Sequence, residues 1–156
     1  MASSDRDAPS RPPVAERVLR VSVAVHSVED ALAFYRDALG LPVVSETVLP
    51  ENELRVVRLD AAGLQIELLE PTSGTGPVAR YLDRYGEGLH HIAIEVQAIE
   101  DQLEHLTTHG VELIDREPRV GPEGKIAFVH PRSTGGVLIE LNEARDEPSR
   151  RAEELQ

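Results

Sequence analysis

The sequence predicts an α+β fold built of paired βαβββ modules, spanning 18–70 and 88–142. Three observations carry this. The order of elements repeats once along the chain. Residues repeat with it: Val23-Ala24-Val25 followed by Val28-Glu29-Asp30-x-Leu32 matches Ile94-Glu95-Val96 followed by Ile99-Glu100-Asp101-x-Leu103, at an offset of 71 residues. Leu64-Gln65-Ile66-Glu67-Leu68 likewise matches Val137-Leu138-Ile139-Glu140-Leu141, at an offset of 73. A period near 70 is too long for a solenoid. It suits two related modules facing one another across a pseudo-twofold axis.

Each element follows from local chemistry. Val18–Val25 alternates and is β-branched, which predicts a strand. Ser27 ahead of Glu29 and Asp30 is a capping pattern that opens a helix. Val28, Leu32, Tyr35 and Leu39 then recur at helical spacing. Gly40 suits the residue past the helix end, and Pro42 prevents continuation. Three strands follow at Val43–Leu49, Leu54–Leu59 and Leu64–Leu69, parted by Pro50-Glu51-Asn52 and Ala62-Gly63. After a linker at Pro71–Gly76, a short helix is expected over Pro77–Tyr85, with Pro in its first turn and Gly86 beyond its end. The second module repeats the plan: strand His90–Val96, helix Ile99–His109 ended by Gly110, then strands Val111–Asp115, Ile126–His130 and Val137–Leu141. Residues 1–17, rich in Ser, Asp, Arg and Pro, are expected to form a disordered arm, and 144–156 a polar tail or frayed helix.

Composition limits the function. The 156 residues amount to one domain, 40% hydrophobic but only 3% aromatic, so the core must be aliphatic. The absence of cysteine removes disulfides, thiolate metal sites and Cys nucleophiles, and suits a reducing compartment. No apolar run reaches the ~18 residues of a membrane span, and no signal-peptide pattern is present. The chain is therefore expected to be soluble and cytoplasmic. The net charge of −12 repels nucleic acid and anionic membrane. A local cluster could still hold a small anion, and Arg116, Arg119, Lys125 and Arg132 are candidates. No glycine-rich phosphate loop or nucleophile elbow appears.

The repeat also singles out polar residues. Alternation places Arg20, Ser22, Ala24 and His26 on one face of the first strand. His91, Ala93 and Glu95 take the matching face in the second module, so Arg20 stands where its counterpart has His91. Glu67 and Glu140 each interrupt an apolar run. Buried there, both need partners, because an unpaired carboxylate is costly away from water. The same pattern is met by a Glu on the solvent face of a half-buried strand. His90 is expected to point to the other face and to be structural.

Four stretches resemble the methylmalonyl-CoA epimerases of the vicinal oxygen chelate (glyoxalase) superfamily. They are Ala33-Phe34-Tyr35-Arg36-Asp37-Ala38-Leu39-Gly40-Leu41, Ile66-Glu67-Leu68-Leu69-Glu70-Pro71, Gly86-Glu87-Gly88-Leu89-His90-His91-Ile92-Ala93 and His130–Leu141. The resemblance implies a U-shaped mixed sheet, a divalent metal such as cobalt or manganese, and a homodimer acting on a small acyl-CoA. Carried over by position, the metal ligands fall on Glu67, His91 and Glu140, with Arg20 at the fourth position. Guanidinium has no lone pair to offer. Arg20 is thus expected either to bind the substrate carboxylate beside a three-ligand metal or to replace the metal. The catalytic pair implied is Glu51, from the Pro50-Glu51 turn, and Glu140, interconverting (R)- and (S)-2-methylmalonyl-CoA through an enolate. The alternatives are a diverged metal-free isomerase, lyase or cyclase of specialised metabolism, and a non-catalytic small-molecule binder.

Overall fold

A computed structural model describes residues 12–145; most of the expected arm, and the tail from 146 on, lie outside the described residues. Strands and helices follow in the order β1 (Arg17–Ala24), α1 (Val28–Leu32), β2 (Val43–Leu49), β3 (Leu54–Ala61), β4 (Leu64–Pro71), α2 (Pro77–Tyr85), β5 (Gly88–Glu95), α3 (Ile99–Thr108), β6 (Arg119–Val120), β7 (Gly124–Val129) and β8 (Ile139–Ala144). One curled eight-stranded sheet contains them all, ordered β2-β3-β4-β1-β5-β8-β7-β6. Within each module the first and last strands pair in parallel, β1 with β4 and β5 with β8. The modules join through the antiparallel β1–β5 pair at the centre. The sheet is symmetric about that seam, as the repeat requires.

Most helix signals are realised. The Ser27 hydroxyl caps α1 by accepting from the Asp30 amide at 3.2 Å. The helix widens into a π-turn over Ala33–Ala38, and Gly40 ends it at φ +82°. Gly86 and Gly110, at +77° and +73°, end α2 and α3 in the left-handed region where a Cβ is costly.

Two strands of the second module depart from expectation. Val111–Asp115 is not a strand: only a bridge joins Leu113 to Val129, and the module's second strand is the two-residue β6. The cause is local. The amides of Ile114 and Asp115 both donate to the Phe128 carbonyl, and the Asp115 carboxylate takes the Phe128 amide. Doubled donors and a captured amide stop the ladder. Similarly, β8 begins at Ile139 rather than Val137. Gly135 and Gly136 both have positive φ, and the Thr134 hydroxyl donates to the Val137 carbonyl, which holds the segment in a turn.

Apolar side chains then divide the sheet's two faces. Val28 and Leu32 of α1 pack on Val57, Leu59 and Leu68, while Ile99 and Leu103 of α3 pack on Ala127, Val129 and Leu141. Leu59 and Leu68 are fully buried, each contributing roughly 1.5–3 kcal/mol. The opposite, inner face is covered at one end by α2, whose Val78 and Leu82 pack on Ala24, Val56 and Leu69. The remainder of the inner face carries charge.

Candidate functional site

The inner-face positions of the central strands are polar. Register sets Arg58 opposite Glu67 across β3–β4, Ser22 opposite Glu67 across β1–β4, and Ser22 opposite His91 across β1–β5. Ala93 pairs with Glu140, and Glu95 with Asn142. Register shifts between Val18 and Arg20 and between Ser22 and Val23 bracket the stretch in which Ser22 pairs with His91. Arg20, Ser22, Glu67, His91, Glu95, Glu140 and Asn142 are all buried. The solvent-face alternative for Glu67 and Glu140 therefore fails.

Arg20 lies at the centre of the cluster. Its Nη1 donates to Glu123 Oε2 at 2.9 Å, and its Nη2 donates to Asn142 Oδ1 at 3.0 Å while lying 3.5 Å from Glu140 Oε1. Its Nε is 3.7 Å from Glu67 Oε2. One guanidinium thus stands between the two carboxylates that the repeat relates. Glu67 is completed by the Ser22 hydroxyl at 3.0 Å and Arg58 Nε at 2.8 Å. Glu140 is completed by Asn142 Nδ2 at 2.7 Å and His91 Nε2 at 3.3 Å. Every buried charge has a partner of opposite sign, as burial demands.

Burial alone would raise the Glu140 carboxyl. The hydrogen bond and charge of His91, then Asn142 and Arg20, outweigh it and hold the group below the ordinary carboxylate value. Glu123 is likewise held low: partial burial is overcome by Arg58, then Arg20. His90 is pushed down to about 4 by burial and then by His91, so its ring is neutral. Its Nδ1 lies 2.9 Å from Nδ1 of His91. His90 is therefore joined to the cluster, where the pattern placed it on the other face. It also packs edge-on against Tyr81 of α2. A chain His90–His91–Glu140 results, with proton positions set by the ring tautomers.

Glu51 is not among these residues. It is exposed on the helical turn Pro50–Asn52, beyond Leu54 at the start of β3. Leu54 precedes Arg58, the cross-strand partner of Glu67, by four residues, ~13 Å of strand. Of the expected cationic residues, Arg119, Lys125 and Arg132 are each engaged with carboxylates instead: Arg119 pairs with Asp115, Lys125 with Glu100 and Glu143, and Arg132 with Glu112. Pattern reading passed over Arg58 and Glu123. Arg58 was accessible by counting back from the Ala62-Gly63 turn, because Ala61 pairs with Leu64 and hence Arg58 with Glu67. Glu123 carried no such signal: it reaches Arg20 from 103 residues away.

The donor set does not suit a divalent metal. With Arg20 between them, Glu67, His91 and Glu140 do not converge, and among the described residues no group of three or more His, Asp or Glu side chains could hold one. Arg20 fills the space between the carboxylates with a permanent cation, which would repel a dication. Arg20 itself supplies the positive charge between Glu67 and Glu140.

Similarity to known proteins agrees with the fold. A family model described as the Glyoxalase/Bleomycin resistance protein/Dioxygenase superfamily matches residues 20–129. Bacillus subtilis YqjC is 41% identical over 130 residues, covering 83% of this chain and 93% of that protein. The mitochondrial methylmalonyl-CoA epimerase of Bos taurus is 36% identical over 130 residues, covering 82% and 74%. Among solved structures, a single-substitution variant of the Streptomyces coelicolor methylmalonyl-CoA epimerase in complex with 2-nitronate-propionyl-CoA superposes with a TM-score of 0.75 at 31% identity, covering 84% and 96%.

Proposed function

Because the chain belongs to the Glyoxalase/Bleomycin resistance protein/Dioxygenase superfamily, beside relatives named methylmalonyl-CoA epimerase, we propose that it is an epimerase-like enzyme acting on a 2-carboxyacyl-CoA such as methylmalonyl-CoA. The observation that carries this reading is Arg20 set between Glu67 and Glu140. The α-proton of such a thioester is acidic, and the obstacle to removing it is the enolate charge beside a carboxylate. A fixed guanidinium away from bulk water stabilises that charge. Glu140, ionised at neutral pH, takes the proton. For the transfer to balance, one carboxyl enters each turnover protonated: Glu67, on the other side of Arg20, gives its proton to the opposite face as Glu140 takes one, and the reverse turnover restores both. Each acid/base group contributes on the order of 10²–10⁴-fold. His91 orients Glu140, and His90 in turn orients His91. The reading includes a homodimer, for which exposed Phe34, Val44 and Val48 offer apolar surface.

Deuterium uptake at C2 of methylmalonyl-CoA tests the proposal. Protein stripped with chelator and assayed in D₂O should exchange the C2 proton, and Glu140→Gln should do so ~10²–10⁴-fold more slowly. Absence of exchange, with or without added divalent metal, would sink the reading.

A further inference from the structure

Glu123 differs from the other carboxylates of the cluster. Glu67 and Glu140 come from central strands and have side chains 8% and 11% exposed; Glu123 comes from the tip of the β6–β7 hairpin and is 53% exposed. Its two oxygens are divided between two guanidiniums. Oε2 accepts from Arg20 Nη1 at 2.9 Å, and Oε1 accepts from Arg58 Nη1. Without Glu123, the two arginines would present adjacent N–H donors at the mouth of the cluster, the geometry that recognises a carboxylate. A cavity of about 180 Å³ opens beside Arg20 and Glu123, lined also by Arg17, Gln65, Glu95, Asn142 and Glu143; Arg58 lies behind Glu123 and does not line it. That is room for about six waters, enough for a short acyl group but not for a coenzyme. With Glu123 in place, none of Glu67, His91 and Glu140 lines the cavity.

We propose that Arg20 and Arg58 form a binding site for the free carboxylate of a short 2-carboxyacyl group, and that Glu123 occupies this site as an internal, displaceable anion. Only the identity of the ligand rests on the epimerase reading; the site itself rests on the paired arginines. Arg58 is then a substrate-binding residue, and the hairpin tip is a latch that an incoming carboxylate must open. The hairpin tip is built to present this one side chain. The Gly121 amide donates to the Gly124 carbonyl at 2.7 Å, and the Glu123 carbonyl accepts from the Arg145 amide at 3.2 Å. A side chain is thereby held over the cluster while its carboxylate stays reachable from solvent.

Calorimetric titration with malonate in low-salt buffer tests the site without turnover, so a failure here is separate from a failure to exchange the C2 proton. Glu123→Gln removes the competing charge and should bind malonate at least tenfold more tightly than the wild type. Adding Arg58→Met should abolish that gain. Should that double variant unfold, Arg58→Lys, which keeps the charge but loses the fork, should cut the gain by at least threefold. Propionamide, with no carboxylate, should bind at least tenfold more weakly than malonate. Equal malonate affinity in the wild type and Glu123→Gln would overturn the proposal. So would a gain that survives the change at Arg58.

Discussion

Replacing Arg20 with His is the most direct probe of the cluster. Four interactions are lost: the bonds to Glu123 and Asn142, and the ion pairs with Glu67 and Glu140. Breaking a buried ion pair outright costs ~3–5 kcal/mol. Here Glu67 keeps Ser22 and Arg58, and Glu140 keeps His91 and Asn142. The expected loss is therefore smaller, about 2–3 kcal/mol in chelator, or roughly 6–10 °C in Tm for a domain of this size. The same change removes the cation that keeps a dication out and adds an imidazole donor beside Glu67, His91 and Glu140. Cobalt or manganese at a hundredfold excess over Kd should then restore ~2.7 kcal/mol, about 8 °C. Thermal melts of wild type and Arg20→His, each with chelator and with metal, provide the readout. Wild-type Tm should not move with metal. A metal-dependent rise in the wild type would refute the assignment of Arg20 to the metal's place. An Arg20→His variant as stable as wild type in chelator would refute the energetic account of the cluster.

Other expectations follow from the same contacts. Glu140→Gln keeps the Asn142 and His91 neighbours but loses the base, so C2 exchange should fall by ~10²–10⁴ with native circular dichroism. His90 has a folded pKa of about 4, below its unfolded value of roughly 6.5. Between those values the unfolded chain binds the extra proton, so its contribution is complete above pH ~6.5 and lost as pH falls towards 4. Urea midpoints at pH 7.5 and 5.5 should differ less in His90→Gln than in wild type; equal differences would show that His90 is not the group responsible. Glu140 and Glu123 also have depressed values. Their stabilisation is complete above the unfolded carboxylate range and is lost only as pH falls through their lower folded values, so a second drop should appear below pH ~4.5. Gly124 has φ +153°, and an added Cβ would lie 2.0 Å from the Glu143 carbonyl. Gly124→Ala should therefore destabilise by more than ~1 kcal/mol and move Glu123 off the arginines, giving the raised malonate affinity of Glu123→Gln in whatever fraction remains folded.

The fold was legible because it is a repeat of local patterns. Alternation in Val18–Val25, the Ser27 cap and the glycines at 40, 86 and 110 each act over a few residues, and the structure follows them. Where the pattern failed, at Val111–Asp115, a side-chain carboxylate competed with the ladder for the Phe128 amide, which no periodicity reports. The polar face was legible too: inner-face positions at Arg20, Glu67, His91 and Glu140 follow from strand parity and the offset between modules. Parity could not decide whether Glu67 and Glu140 were wet or buried, since a half-buried strand looks the same from either side. Closure of the curled sheet decided it, bringing β4, β1, β5 and β8 side by side and shutting water out. The same closure decided what surrounds Arg20. Its residue type forbids it to be a ligand, but whether it would stand beside a metal or in a metal's place depends on which oxygens surround it. Those oxygens come from Glu67, Glu123, Glu140 and Asn142, on three separate stretches of chain, and their meeting around one guanidinium is a property of the packed sheet.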